Sequence, residues 1–240
     1  MNEATDKIVI AKNVVKRYSE NKGVGPVSMS LKTNNIYSVI GPNASGKTTL
    51  LKCLSKAEDL DSGEINYFPT EVNSNNHLLY SLVFQQPEPW PHLNVLQNVM
   101  LPLKKVLNLN DSEAKQRAEI ELERFGISDR CKSFSHQLSG GLKQRVVQAR
   151  AFAMQPTFLY LDEPTSALDP EWTDYFGKII LEYAHTDRMV LIISHQMNFL
   201  KKTSDKVFFL QNGIILEEGS PDQIFNYPQN DSLIRFIENS

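Results

Sequence analysis

The stretch Gly41-Pro42-Asn43-Ala44-Ser45-Gly46-Lys47-Thr48-Thr49 sets glycines, a lysine and hydroxyls at the spacing G-x-x-x-x-G-K-[ST]. That combination suits phosphate. Gly41 and Gly46 let the backbone curl so that successive N–H groups point at one anion. Lys47 adds a mobile full charge, and the Thr48 hydroxyl is of the kind that binds Mg2+ beside phosphate oxygens. At ordinary residue usage, chance produces the spacing in roughly one chain in a hundred of this length. Asp162-Glu163 supply paired carboxylates, suited to the surroundings of a metal and to general-base work on water. Taken alone, the pair would equally suit the cap of a following helix. Ser139-Gly140-Gly141 opens a run of helical spacing. It reads either as a second anion-facing helix start or as an ordinary serine cap after a flexible turn.

These groups need elements to carry them. Residues 36–40 form a short apolar run, read as a buried strand, and residues 49–56 read as a helix start. Strand, loop and helix are the context that the phosphate spacing requires. Residues 157–161 run into Asp162-Glu163, and residues 189–193 run into Ser194-His195. Parallel α/β sheets place their sites at the carboxyl ends of strands, so these three strands are expected to deliver their chemistry to one edge. Residues 7–18 alternate in part and read as strand. Residues 111–125 read as an amphipathic helix with Ala114, Ala118, Leu122 and Phe125 on one face and Gly126 as its stop. Residues 206–210 and 214–216 read as a hairpin around Asn212-Gly213. Pro87, Pro89 and Pro91 predict an irregular, exposed segment over 85–99 that presents Trp90. The asparagine-rich stretch 73–76 reads as loop.

Composition bounds the class. The 240 residues suffice for one large domain or a core with a subdomain, and 41% hydrophobic content is that of a globular chain. No apolar run is long enough to span a bilayer. Residues 1–6 carry two acids and do not have the form of a secretory leader. A net charge of −3 argues against a general nucleic-acid binder. Cys53 and Cys131 lack C-x-x-C spacing and read as free thiols, Cys53 as a core residue among leucines.

With these residues together, a resemblance becomes plain. Leu138-Ser139-Gly140-Gly141-Leu142 followed by Gln144-Arg145 resembles the signature of ATP-binding cassette ATPases. Residues 160–170, from Tyr160 through Asp162-Glu163 to Asp169-Pro170, resemble their second nucleotide motif and the loop after it. Val83-Phe84-Gln85-Gln86 resembles their glutamine loop, and Ser194-His195 their switch histidine. On these motifs, in this order from about Ile8 to the end, the sequence is identified as a member of that family.

The resemblance implies an α/β fold: a P-loop NTPase (RecA-like) core with an antiparallel β subdomain, and an inserted helical subdomain. The core and β subdomain are expected over 1–86 and 157–240, the helical insertion carrying the signature over 87–156. The implied chemistry is hydrolysis of ATP with Mg2+. Gly41, Pro42, Asn43, Ala44, Ser45, Gly46, Lys47, Thr48 and Thr49 then cradle the phosphates. Tyr18 stacks on adenine; read without the resemblance, it is a strand-end tyrosine packed on the core. Thr48, Gln85 and Asp162 serve the metal, with Gln86 the other register for the glutamine. Glu163 is the general base, and His195 contacts the γ-phosphate. Ser139, Gly140 and Gly141 close over a nucleotide held by the opposite subunit, and Asp169 communicates across the interface. Composite sites of that kind imply a head-to-tail homodimer, or paired cassettes, in the ATP state. Two positions depart from the family pattern. Leu142 stands where Gln is usual, which removes a polar side-chain contact, and Asn43 stands where Ser is common.

A single cassette without a membrane segment resembles the subunit that docks, peripherally, on integral membrane permease subunits at the cytoplasmic face of the cell membrane. Such a complex includes a substrate-binding protein and no nucleic acid. Residues 91–99 and 224–229 resemble the importers of polar amino acids, although segment 59–80 is shorter than is usual there. No further regulatory domain is expected. Cassettes that move lipids or lipoproteins or power export, and soluble cassettes acting in protein or cofactor assembly, are the alternatives. A P-loop kinase would leave residues 138–142 and His195 unexplained.

Overall fold

Short apolar runs bounded by turns become the strands of two sheets. A computed structural model describes residues 7–19, 22–68, 80–86 and 88–239. In chain order the elements are β1 (Ile8–Ser19), β2 (Lys22–Lys32), β3 (Asn35–Ile40), α1 (Lys47–Leu54), β4 (Ser62–Phe68), β5 (Tyr80–Val83), α2 (Val95–Lys105), α3 (Asp111–Arg124), α4 (Gly140–Ala153), β6 (Phe158–Asp162), α5 (Pro170–Ala184), β7 (Met189–Ile193), α6 (Met197–Thr203), β8 (Lys206–Gln211), β9 (Ile214–Gly219), α7 (Pro221–Asn226) and α8 (Asp231–Glu238). The asparagine stretch 73–76 and Pro87 lie outside the described residues.

The larger sheet has the order β5-β6-β7-β3-β8-β9. Its strands are parallel except β9, which returns antiparallel from β8 through the Asn212-Gly213 turn. The central strands β6 and β7 are buried at every residue. Burial on both faces is what their unbroken apolar sequence requires. Alternate residues then serve two cores. Ile36, Ile40, Leu159, Leu161, Val190 and Ile192 face one cluster, shared with α2, α3, α4 and α5. Tyr37, Val39, Phe158, Tyr160, Leu191 and Ile193 face the other, shared with α1 and the smaller sheet. That smaller sheet is antiparallel in the order β2-β1-β4.

The irregular segment expected over 85–99 ends earlier than the prolines suggested. Helix α2 begins at Val95, where Asn94 accepts from the Gln97 N–H and the Gln97 side chain returns the bond to the Asn94 N–H. This reciprocal cap starts a helix directly after the proline-rich stretch and carries it through Pro102. Pro89 is buried and Trp90 half-buried, so the segment is less exposed than expected. Helix α4 likewise starts at Gly140, three residues before Lys143, because Ser139 caps it by accepting from the Leu142 N–H. Among the described residues, no helix is long and apolar enough to cross a membrane.

Candidate functional site

The strands β3, β6 and β7 end side by side. Val39 pairs with Ile193 on β7, and Ile193 with Asp162 on β6. The phosphate loop leaves β3 at Ile40 and enters α1 at Lys47. Two backbone positions there need glycine. A Cβ on Gly41 would lie 2.0 Å from the Leu210 carbonyl oxygen, and one on Gly46 2.5 Å from that of Gly23. The loop is therefore pressed between β8 and the start of β2, and it leads into the N-terminus of α1, where a helix's positive dipole end favours an anion.

Beside this loop lies a cavity of about 320 Å³. It is lined by residues 43–49, by Gln85, Asp162, Glu163 and His195, and by Tyr18. Strands far apart in the chain, β3, β6 and β7, thus bring together most of the residues that the spacing pointed to. Gln85, not Gln86, is the glutamine that lines it. Tyr18 is 52% exposed, so it forms the cavity's outer wall rather than packing in the core. Gly41 and Pro42 act from behind, through carbonyls that accept from Lys47 Nζ at 2.8 Å each. Ser139, Gly140, Gly141 and Asp169 do not line this cavity. Lys22, Gly23 and Ile193 line it without having been anticipated. Nothing local marks Lys22 and Gly23 as site residues; they arrive because β2 begins against the loop.

The polar groups are arranged for a charged guest. Thr48 Oγ1 donates to Asp162 Oδ2 at 2.8 Å. Burial lowers the Lys47 pKa, and the Glu163 and Asp162 carboxylates act against it. Burial raises Asp162, opposed by the Thr48 hydrogen bond. Glu163 is pushed up to about 7, first by burial, while the hydrogen bond from the His195 N–H pulls it back. Its Oε1 is buried without a hydrogen-bond partner, with His195 Nε2 at 3.4 Å but not aligned to bond. Burial and the nearby Lys47 lower the His195 pKa, with the Asp162 carboxylate acting against them. Glu163 also sits at φ 49°, in the left-handed region. Non-glycine residues rarely occupy that region, and they concentrate where a site dictates their backbone. A carboxylate near neutrality with a free oxygen can accept a proton from water. Lys47 can exchange its carbonyl partners for phosphate oxygens, and Thr48 with Asp162 present oxygens to a hard cation.

Gln144 links this site to α4. Buried at 2% exposure, it donates to the carbonyls of Glu163 at 3.2 Å and Pro164 at 2.5 Å, and accepts from the Ala167 N–H at 3.1 Å. Sequence reasoning treated Gln144 only as part of the signature; its burial and three-way bonding depend on packing.

This fold and site define a P-loop nucleoside triphosphatase. The sequence model of the ABC transporter family matches residues 24–166, and the chain belongs to that family. It is an ATPase of the cassette type. The glutamine transport ATP-binding protein GlnQ of Geobacillus stearothermophilus is 35% identical over 93% of this chain and 95% of its own length. The histidine/lysine/arginine/ornithine transport ATP-binding protein HisP of Escherichia coli (strain K12) is 37% identical over 94% and 95%. Among solved structures, a dimeric ATP-binding cassette, MJ0796, in a post-hydrolysis state with ADP and Pi superposes with a TM-score of 0.79. It is 26% identical and covers 89% of this chain and 98% of that one.

Proposed function

We propose that this cassette is the ATP-hydrolysing subunit of an importer for polar amino acids, working as a dimer on integral membrane permease subunits at the cytoplasmic face of the cell membrane. A substrate-binding protein completes the complex. The observation that carries the reading is the convergence of Lys47, Thr48, Asp162, Glu163 and His195 on one cavity. The amino-acid branch is supported by relatives, alike over nearly their whole length, that are amino-acid transport ATP-binding proteins.

In this reading the loop N–H groups and Lys47 hold the β- and γ-phosphates, and Tyr18 stacks on the adenine. Thr48, Asp162 and Gln85 would hold Mg2+, which would neutralise phosphate charge. Glu163 Oε1 accepts a proton from the attacking water. His195 keeps Glu163 aligned through its own backbone N–H, 3.4 Å from Oε2, and offers its imidazole to the γ-phosphate. Residues 139–141 and Asp169 stand outside this cavity, as groups that serve the partner's nucleotide would. The helices α2–α4, within 87–156, form the arm that carries residues 139–141, while Asp169 caps α5.

The test is purification of the tagged chain from membranes of its native host in mild detergent, followed by mass spectrometry. An integral membrane permease co-purifying in stoichiometric yield supports the reading. Recovery with soluble partners alone overturns the transport assignment.

A further inference from the structure

Helices α3, α4 and α5 meet at one aromatic ring. The Arg145 guanidinium of α4 lies 3.6 Å from the centre of the Trp172 indole of α5. Arg145 also faces Asp169, with Nη2 3.7 Å from Oδ2. Asp169 in turn caps α5, its Oδ1 accepting from the Trp172 N–H at 2.8 Å. The three residues close a triangle in which Trp172 contacts both of the others, one by its ring and one by its backbone. Behind the ring is Gly126, the residue that ends α3. A Cβ there would lie 3.1 Å from Trp172 Cη2, so the indole occupies the space that a side chain would take. Arg145 Nε and Trp172 Nε1 are both buried without hydrogen-bond partners. The Arg145 side chain is therefore oriented by the stack and by Asp169, not by a hydrogen-bond lattice. One turn earlier on α4, a Cβ on Gly141 would lie 2.8 Å from the Ala167 carbonyl oxygen. The signature end of α4 and the 163–169 loop are in backbone contact.

We propose that Trp172 is a positioning residue: its ring, stacked on Arg145 next to the Asp169 cap of its own helix, fixes the 139–141 end of α4 relative to Asp169 before a second subunit arrives. The inference rests on the composite-site reading above. Both groups must reach the partner together, and an arm already held in place loses less freedom on closing.

The experiment uses the Glu163→Gln chain, in which slow hydrolysis lets ATP-driven dimerisation be read by light scattering against MgATP concentration. Nucleotide affinity of the monomer is read separately with a fluorescent ATP analogue. Trp172→Ala is expected to raise the MgATP needed for half-dimerisation about tenfold, the scale of one desolvated cation–π contact. The monomer should keep its affinity for the analogue within about twofold, because Trp172 does not line the phosphate cavity. Trp172→Phe keeps an aromatic face and should restore dimerisation to within about threefold of the parent. If Trp172→Ala lowers the melting temperature so far that the monomer unfolds, Arg145→Lys is read by the same criterion, since it keeps the charge and loses the planar stack. Dimerisation of the alanine or lysine variant at the parent's MgATP midpoint overturns the proposal. A parent that stays monomeric in saturating MgATP overturns the composite-site reading, and the proposal with it.

Discussion

Thr48 and Asp162 stand 114 positions apart, yet Thr48 Oγ1 donates to Asp162 Oδ2 at 2.8 Å. The contact joins the first turn of α1 to the last residue of β6. It places the hydroxyl of the phosphate loop and a strand-end carboxylate at one point of the cavity that Lys47 and Glu163 also line.

Lys47→Ala removes the cation at the phosphate end of the cavity and leaves the Gly41 and Pro42 carbonyls without their shared donor. Charge-assisted hydrogen bonds to phosphate are worth roughly 1.5–3 kcal/mol each, so ATP affinity should fall at least about tenfold. Equilibrium titration of the variant with ATP checks this. Wild-type affinity would rule out the phosphate-loop assignment.

Glu163→Gln keeps the side chain's shape and removes its basicity. Loss of a general base typically costs about 10²–10⁴-fold, and ATP turnover should fall within that range while ATP binding is retained. An ATPase assay paired with light scattering reads both, with a dimer expected in MgATP.

The same residue predicts a pH dependence of stability in the nucleotide-free chain. Its folded pKa, about 7, lies above the ordinary value of 4.5. Ionisation is therefore harder in the folded chain than in the unfolded one. The stability contributed by the protonated form is fully present below pH 4.5 and is lost as pH rises towards 7. An amide at this position cannot ionise. Glu163→Gln should therefore gain thermal stability over the parent as pH rises from 5 to 8, by up to about 3 kcal/mol. Melting curves of the two chains across that range decide it; parallel curves would show that the carboxyl is not held in its protonated form.

Leu142→Gln restores the residue usual in the family at the signature. The Leu142 backbone N–H already reaches Ser139 Oγ at 3.4 Å, and its side chain packs partly on the helical core. One neutral hydrogen bond is worth about 1 kcal/mol, so turnover should change by less than about tenfold. Complete loss of ATPase activity would show that the leucine has a packing role that glutamine cannot fill.

Trp90 shields Arg150, whose guanidinium lies 4.3 Å from the ring centre. Burial pulls Arg150 down to about 10, with no carboxylate acting against it. Trp90→Ala uncovers that cation and should cost about 1–2 kcal/mol of stability. Basal ATPase of the isolated subunit should stay within about twofold, since neither residue lines the nucleotide cavity. Assembly with the membrane partner, read by co-purification, should weaken, because half-buried aromatics concentrate interface energy. Normal assembly would move the docking surface away from this segment.

Much of the architecture was legible in the residues themselves. The phosphate loop, the three buried strands that end in polar residues, the amphipathic α3 with its glycine stop and the Asn212-Gly213 hairpin are local patterns. Each is set by side-chain periodicity and turn chemistry within a dozen residues, and the structure keeps all of them. The start of α2 was less legible, because prolines at 87, 89 and 91 masked the Asn94–Gln97 cap that follows them. What only the tertiary structure decided is long-range. Gln85 rather than Gln86 faces the cavity. Lys22 and Gly23 join it because β2 starts against the loop, and Gln144 is buried across three backbone groups of the 163–167 turn. The near-neutral pKa of Glu163 and the stack of Trp172 on Arg145 belong to the same class. The physical reason is common to all of these. A sequence pattern states which side of an element is apolar, whereas desolvation, alignment and stacking depend on which other element packs against it and at what distance.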